Sequence, residues 1–241
     1  MIKSEFEKTI ANKFLYILII VLLLMYGLGY IMPMSLDKVH SLAYRPLLSS
    51  IYTVFTQFGP MMFPFLIAYS ISKDYSDRTG LFYRSLGINS LKYIISKLTV
   101  FAMELAGIVL IYNFILSLIY HDFSAYIQMS LLFTIVGLST FCLVSLLSLI
   151  FSSLILAIRS SLFIWILSIV VAQAGGILQK IAFFDSSTSF HQKVSVYLDS
   201  NYLIIQDGFW TPILYIIVVI CITLILSKLF NCRFFRLGVE G

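Results

Sequence analysis

The sequence predicts an all-α membrane protein with six transmembrane helices, an N-terminal interfacial amphipathic helix and both termini in the cytoplasm. Three observations predict it. Of 241 residues, 60% are hydrophobic and 11% charged, with a mean hydropathy of +0.99. A soluble domain carries about 25% charged residues to cover itself in water. The charges are also clustered, leaving 14–36, 46–72, 123–158, 160–179 and 208–227 with none. Finally, Lys and Arg alternate between the two sides of these runs in a ratio of 12 to 4. This excludes a soluble domain, a disordered tail and a disulfide-stapled secreted scaffold. A membrane β-barrel would show short alternating stretches instead.

The elements follow in order within one transmembrane domain over 1–241. Residues 1–13 form the interfacial helix: Ile2, Phe6 and Ile10 recur every four residues, while Lys3, Glu7, Lys8 and Asn12 take other faces. Such a helix lies along the membrane surface; a solvated tail is the competing reading. A helix needs about 20 apolar residues to cross roughly 30 Å of hydrocarbon. The predicted spans are 14–33, 48–72, 98–120, 127–151, 161–179 and 211–228. The fourth charge-free run is too long for one upright helix, so it includes an outer turn and a tilted or interfacial end.

With the N-terminus inside, the inner side holds Lys3, Lys8, Lys13, Lys73, Arg78, Arg84, Lys92, Lys97, Arg159, Lys228, Arg233 and Arg236. The outer side holds Lys38, Arg45, Lys180 and Lys193. The positive-inside rule sets the orientation from that asymmetry. The net charge of +5 is then an inner-leaflet bias and gives no nucleic-acid signal. The first span is too long for a signal peptide's apolar core and lacks a cleavage site after it.

Span two carries Gly59, Pro60 and Pro64 among aromatic and Met side chains, which predicts a kink there. Tyr52, Phe55, Phe58, Met61 and Met62 are candidates to line a substrate path, joined by Phe163 and Trp165 of span five. Glu104 is a carboxylate about two turns into span three, which is expensive in hydrocarbon. Its readings are proton coupling or, preferred here, structural pairing to another span. The inner loop 73–97 has five basic and two acidic residues, yet also exposes Leu81, Phe82 and Tyr83. A solvated connector explains the charges; the apolar residues call for a partner surface. The outer loop 180–210 is long enough to predict short capping helices.

Catalytic signatures are missing from the sequence. It has no P-loop, H-E-x-x-H or G-x-S-x-G. His40, His121 and His191 fall in separate predicted outer loops without metal-ligand spacing, so neither catalytic nor metal-ligating residues are expected. An intramembrane enzyme would have to work through loop residues such as His191 and Asp185. Cys142, Cys221 and Cys232 suggest neither a disulfide framework nor a zinc site.

Two stretches resemble the permease subunits of ABC-2 type exporters. The N-terminal helix with Glu5 and Lys8 looks like that family's interfacial elbow. Asp74, Thr79-Gly80, Leu81, Ser85-Leu86-Gly87-Ile88-Asn89 and Lys97 fall where the family has its coupling region, although Thr-Gly is in reversed order and Gly87 stands where proline is common.

The resemblance implies that 73–92 contains a coupling helix docked on a separate ABC ATPase. Leu81, Phe82, Leu86 and Ile88 would make the apolar contact, with Asp74, Asp77, Arg78 and Arg84 setting orientation and Thr79, Gly80 and Gly87 shaping the turns. It further implies a cell-membrane dimer of two permeases, identical or paralogous, with two ATPases that hold the ATP and Mg. No cofactor belongs to this chain. The expected cargo is hydrophobic or amphipathic, with a peptide of the antimicrobial or toxin kind favoured. The alternative is a membrane protein working without an ATPase: a proton-linked carrier using Glu104, or an immunity or sensor protein.

Overall fold

A backbone inside hydrocarbon must satisfy its own N–H and C=O groups, so charge-free runs become long helices. The computed structural model describes residues 2–36, 42–77, 83, 85, 87–88, 90–151, 153–174, 182–185, 188–200 and 210–229. Eight α-helices lie among them: α1 (Ile2–Ala11), α2 (Phe14–Leu36), α3 (Tyr44–Ser76), α4 (Ser90–Tyr120), α5 (Tyr126–Ile150), α6 (Leu154–Ala174), α7 (Ser189–Ser200) and α8 (Trp210–Leu229). Helices α2 to α6 are long and apolar enough to cross a membrane, and α8 contributes a shorter apolar stretch, Pro212–Leu226. The chain is a multi-pass membrane protein.

Several boundaries differ from those read in the sequence, and each difference has a local cause. Helix α3 continues to Ser76 and α4 begins at Ser90, so Lys73, Asp74, Lys92 and Lys97 are helical rather than parts of a loop over 73–97. Asp74 and Lys97 pair with each other and Lys73 bonds to Asn12, as described below, while Lys92 lies on the exposed face of its helix. The long run 123–158 breaks at Phe151, whose backbone is extended and whose N–H closes α5 onto the Leu147 carbonyl at 2.8 Å. Helix α6 therefore starts at Leu154, ahead of the predicted 161, and carries Arg159 within it. Within 180–210, the described residues form the turn 182–185 and α7.

Helices α3 and α5 form the centre of the bundle. Helix α3 packs on α2, α5, α6 and α7, and α5 packs on α3, α4, α6 and α8. A column of aromatic rings runs between α2, α3, α4 and α5. Phe55 stacks on Phe133 at 4.8 Å, Tyr26 meets Phe55 edge-on at 5.8 Å, Phe63 meets Phe141 at 5.1 Å and Phe14 stacks on Phe101 at 4.6 Å. Such pairs contribute about 0.5–1.5 kcal/mol each beyond area burial. One chain of buried polar groups is satisfied across helices: Tyr26 donates to Asn113 Oδ1 at 2.8 Å, and Asn113 Nδ2 donates to Ser130 Oγ at 2.9 Å. By contrast, α6 buries little beyond Ala157, Ser161 and Ala172.

Helix α3 carries through Pro60 and Pro64 without interruption of its assignment. Its first half meets α2 at a point where only a hydrogen fits. A Cβ on Gly29 would lie 2.6 Å from Ile51 Cγ1 and 2.8 Å from its Cα, and Ser50 Oγ donates to the Gly29 carbonyl at 2.7 Å. Gly29→Ala is expected to cost about 1–3 kcal/mol by forcing the two backbones apart, read as a lowered unfolding midpoint in detergent. Gly27→Ala, with nothing within 4 Å of the new methyl, leaves the midpoint unchanged or higher.

Candidate functional site: a buried charge junction and a cavity

The N-terminal helix has its amphipathicity turned inside out. Ile2, Phe6 and Ile10 are 47%, 39% and 37% exposed, whereas Glu5 and Thr9 are 2% and 4% exposed. Ile2, Phe6 and Ile10 therefore lie on the outer face of the bundle, and the stripe Glu5, Lys8, Thr9, Asn12, spaced three and four residues apart, faces protein. Burying polar side chains is tolerable only when they are paired, and every member of this stripe has a partner.

Asp74, near the end of α3, is the hub. It accepts from Lys8 of α1 at 2.8 Å, from Tyr93 Oη of α4 at 2.5 Å, and from Lys97 of α4. Lys97 also donates to the Ser70 carbonyl and to Tyr93 Oη, each at 3.1 Å, so all three of its N–H donors are spent. Its ammonium lies 5.3 Å from the Tyr93 ring centre and 5.9 Å from that of Phe101.

Around the hub, Tyr83 donates to Glu5, and Lys8 sits 5.4 Å from the Tyr83 ring centre. Burial, then the hydrogen bond to Glu5, pushes the Tyr83 hydroxyl well above the usual tyrosine range. Lys73 donates to Asn12 Oδ1 at 2.7 Å. Thr9 Oγ1 lies against both the Phe6 carbonyl and Glu104. Glu104 thus pairs with α1 rather than with another long helix, and its Oε2 is buried without a partner. Residue 83, α1, the end of α3 and the start of α4 are consequently fastened to one another by charge-assisted bonds. Of the other residues expected in coupling, Asp77 and Gly87 are exposed and Ile88 packs beside the Tyr83–Tyr93 cluster. Arg78, Thr79, Gly80, Leu81, Phe82, Arg84 and Leu86 lie outside the described residues.

Towards the opposite end, a cavity of about 310 Å³ opens between α3, α5, α6, α8 and the turn 182–185. That is the size of a small-ligand pocket, about 300–1,000 Å³. Among the residues expected along a substrate path, Trp165 lines it. Tyr52 and Phe55 are fully buried in the aromatic column, with Phe58 packed against it. Met61, Met62 and Phe163 face outward, Phe163 being 65% exposed. An aromatic cluster covers the α7 end of the cavity: Phe183 lies 4.4 Å from Phe190 and 5.8 Å from Tyr215, and Phe184 lies 5.3 Å from Tyr215. Thr188 Oγ1 braces the turn against the Phe183 and Asp185 carbonyls at 3.1 and 2.7 Å. His191 of α7 shares a hydrogen bond with Thr53 at 3.1 Å and stacks on Tyr52. Burial holds its pKa below the usual value despite the opposing pull of Asp185. Among the described residues no group of three or more His, Cys, Asp or Glu could hold a metal.

The stripe on α1 could have been seen in the sequence from the spacing of Glu5, Thr9 and Asn12; the cavity could not, since its walls come from four helices with no shared motif. Long apolar helices bundled around an internal cavity, with one end riveted by buried charges, describe a polytopic membrane protein. The chain belongs to the peptide export permease protein YydJ family, whose profile matches residues 2–239. It is 30% identical over 239 residues to the probable peptide export permease protein YydJ of Bacillus subtilis (strain 168), an alignment covering 98% of this chain and all of that relative.

Removing the hub charge leaves Lys97 buried and uncompensated. Asp74→Ala is expected to destabilise the bundle by about 3–5 kcal/mol, seen as a fall in the unfolding midpoint of the purified protein in detergent. Adding Lys97→Met recovers part of the loss, because Lys8 alone still reaches water.

Proposed function

We propose that this chain is the membrane subunit of an ATP-driven ABC exporter that carries a hydrophobic or amphipathic peptide out of the cell, powered by a separate ATPase. In this reading α8 is the sixth span, both termini are cytoplasmic, and the α1 end faces the ATPase from the cell membrane. The 12 to 4 distribution of basic residues supports that orientation. Two such chains, or this chain and a paralogue, join two ATPases, which hold the ATP and Mg. The printed description of the Bacillus relative, a probable peptide export permease, supports a peptide as cargo.

One observation carries the mechanical part. The polar face of α1 is buried against α3 and α4 and is bonded to Tyr83, within the segment proposed to dock on the ATPase. ATP-driven closure of the ATPases displaces that segment. Moving residue 83 without α1 breaks a hydrogen bond to a buried carboxylate, and moving α1 without α3 and α4 breaks a buried ionic contact at about 3–5 kcal/mol. Moving them together breaks none. Rigid-body displacement of the long helices is therefore the cheaper response, and it opens or closes the space between α3, α5, α6 and α8. The substrate path we propose runs through that cavity beside Trp165. The proton-carrier alternative has weaker support, because Glu104 is sealed beneath α1 and does not line the cavity.

Co-expression with the partner ATPase, with the complex purified in nanodiscs and export followed in sealed proteoliposomes, tests this reading. Wild-type chain is expected to retain the ATPase, and Leu81→Asp with Phe82→Asp to weaken the complex by more than about tenfold, while Glu104→Gln leaves export running after the proton gradient is collapsed. Export that stops with the gradient and with Glu104→Gln, with no ATPase retained, overturns it.

A further inference from the structure

Three carboxyl groups are buried among the described residues, those of Glu5, Asp74 and Glu104. Asp74 and Glu5 each have a lysine ammonium within ion-pair distance, and Glu104 has none. Its Oε1 lies against Thr9 Oγ1, while its Oε2 is buried without a partner. Thr9 Oγ1 also lies 2.8 Å from the Phe6 carbonyl. A carbonyl oxygen only accepts and a hydroxyl has a single proton, so the Thr9 proton goes to Phe6. The bond between Thr9 and Glu104 then needs a second proton, and the carboxyl is the group placed to carry it. The orphaned Oε2 agrees. On an ionised carboxylate it would be a buried charge with no donor, whereas on a neutral carboxyl it is one under-satisfied C=O.

The surrounding charges offer no substitute. Helix α1 presents Glu5 and Lys8, α3 Lys73 and Asp74, α4 Tyr93 and Lys97, residue 83 its phenol and α5 the Cys142 thiol. Helix α2 has no charged residue, and the one charge on α8, Lys228, is exposed. Lys8 and Lys97 are held by Asp74, and Lys73 by Asn12. The backbone beside α1 is shaped for movement. Lys13, between α1 and α2, sits in the left-handed region at φ 58°. Phe14 next to it stacks on Phe101, one turn from Glu104. The start of α2 is thus pinned to α4, and α1 hangs from it by a sharp turn.

We infer that Glu104 and Thr9 form a proton-binding site that latches α1 onto α4. With the proton in place, the carboxyl donates to Thr9 and α1 lies against the bundle. Without it, Thr9 must leave Phe6 to meet the carboxylate, and Oε2 finds donors only in water, which reaches it when α1 lifts. The proton is held and not passed on, since Glu104 does not line the cavity. An exposed glutamate ionises at about 4.3, so near neutral pH lifting α1 releases one proton and docking takes one up. Docking is therefore complete at low pH and weakens as pH rises. The latch stands independently of the export reading; within that reading, it makes the grip of α1 on the bundle respond to acidity.

The full chain in lipid nanodiscs tests this by two readouts that need no transport. Infrared difference spectra of wild type against Glu104→Gln at about pH 6, where an exposed glutamate is ionised, are expected to show the C=O stretch of a protonated carboxyl in wild type alone. Hydrogen exchange over residues 2–11, divided by the intrinsic rate at each pH, is expected to quicken in wild type by up to about tenfold per pH unit above that point. Glu104→Gln, whose amide donates to Thr9 without titrating, should keep exchange slow throughout. Thr9→Val, which lacks the acceptor, should exchange fast even at the low-pH end. A missing carboxyl band, wild-type exchange that ignores pH, or a rise that Glu104→Gln shares overturns the inference. Slow low-pH exchange in Thr9→Val does so too. None of these results bears on the export reading, which stands or falls with retention of the ATPase.

Discussion

The architecture depends on one carboxylate. Asp74 is buried where α1, α3 and α4 converge, and it is held there by two ammonium groups and a phenol. Taking a single carboxylate out of water costs several kcal/mol, which is repaid only by good geometry and full hydrogen bonding. That condition explains why the neighbouring polar groups are where they are. Lys97 uses each of its donors, Lys8 lies between Asp74 and Glu5, and Tyr83 and Tyr93 cap the remaining lone pairs. A junction satisfied in only one arrangement has no intermediate positions, which makes it a stiff connection between surface and bundle.

Stiffness at one end contrasts with openness towards the other. The aromatic column fills the space between α2, α3, α4 and α5, while α6 lies at the margin with few buried residues and the cavity lies behind it. A molecule required to move something through its interior needs both properties. The packed column and charge junction give bodies that move whole, and the loosely held α6 and α8 give a seam along which they can part.

Much of this was legible in the chain itself. The charge-free runs marked the long helices, since lipid leaves the backbone few alternatives, and the four-residue spacing of Ile2, Phe6 and Ile10 marked α1. Where α3 ends and α4 begins was hidden, because Lys73, Asp74, Lys92 and Lys97 look like loop residues until the pairing of Asp74 with Lys97 and Lys8 is known. The Glu104 carboxylate stood out in sequence as a cost, but its partner Thr9 lies 95 positions away, a distance that helix periodicity cannot bridge. The cavity was hidden for a different reason. Its Ser and Thr read as ordinary membrane-helix residues, and their shared wall exists only once four helices are assembled.

The inverted face of α1 also bears on how the protein is made. Glu5, Lys8, Thr9 and Asn12 leave the ribosome well before their partners Lys73, Asp74, Tyr83 and Glu104. Until α4 has been synthesised, the polar stripe of α1 lacks the partners that let it be buried. Helix α1 is thus made before the helices that fasten it, and it can dock only once they are in place.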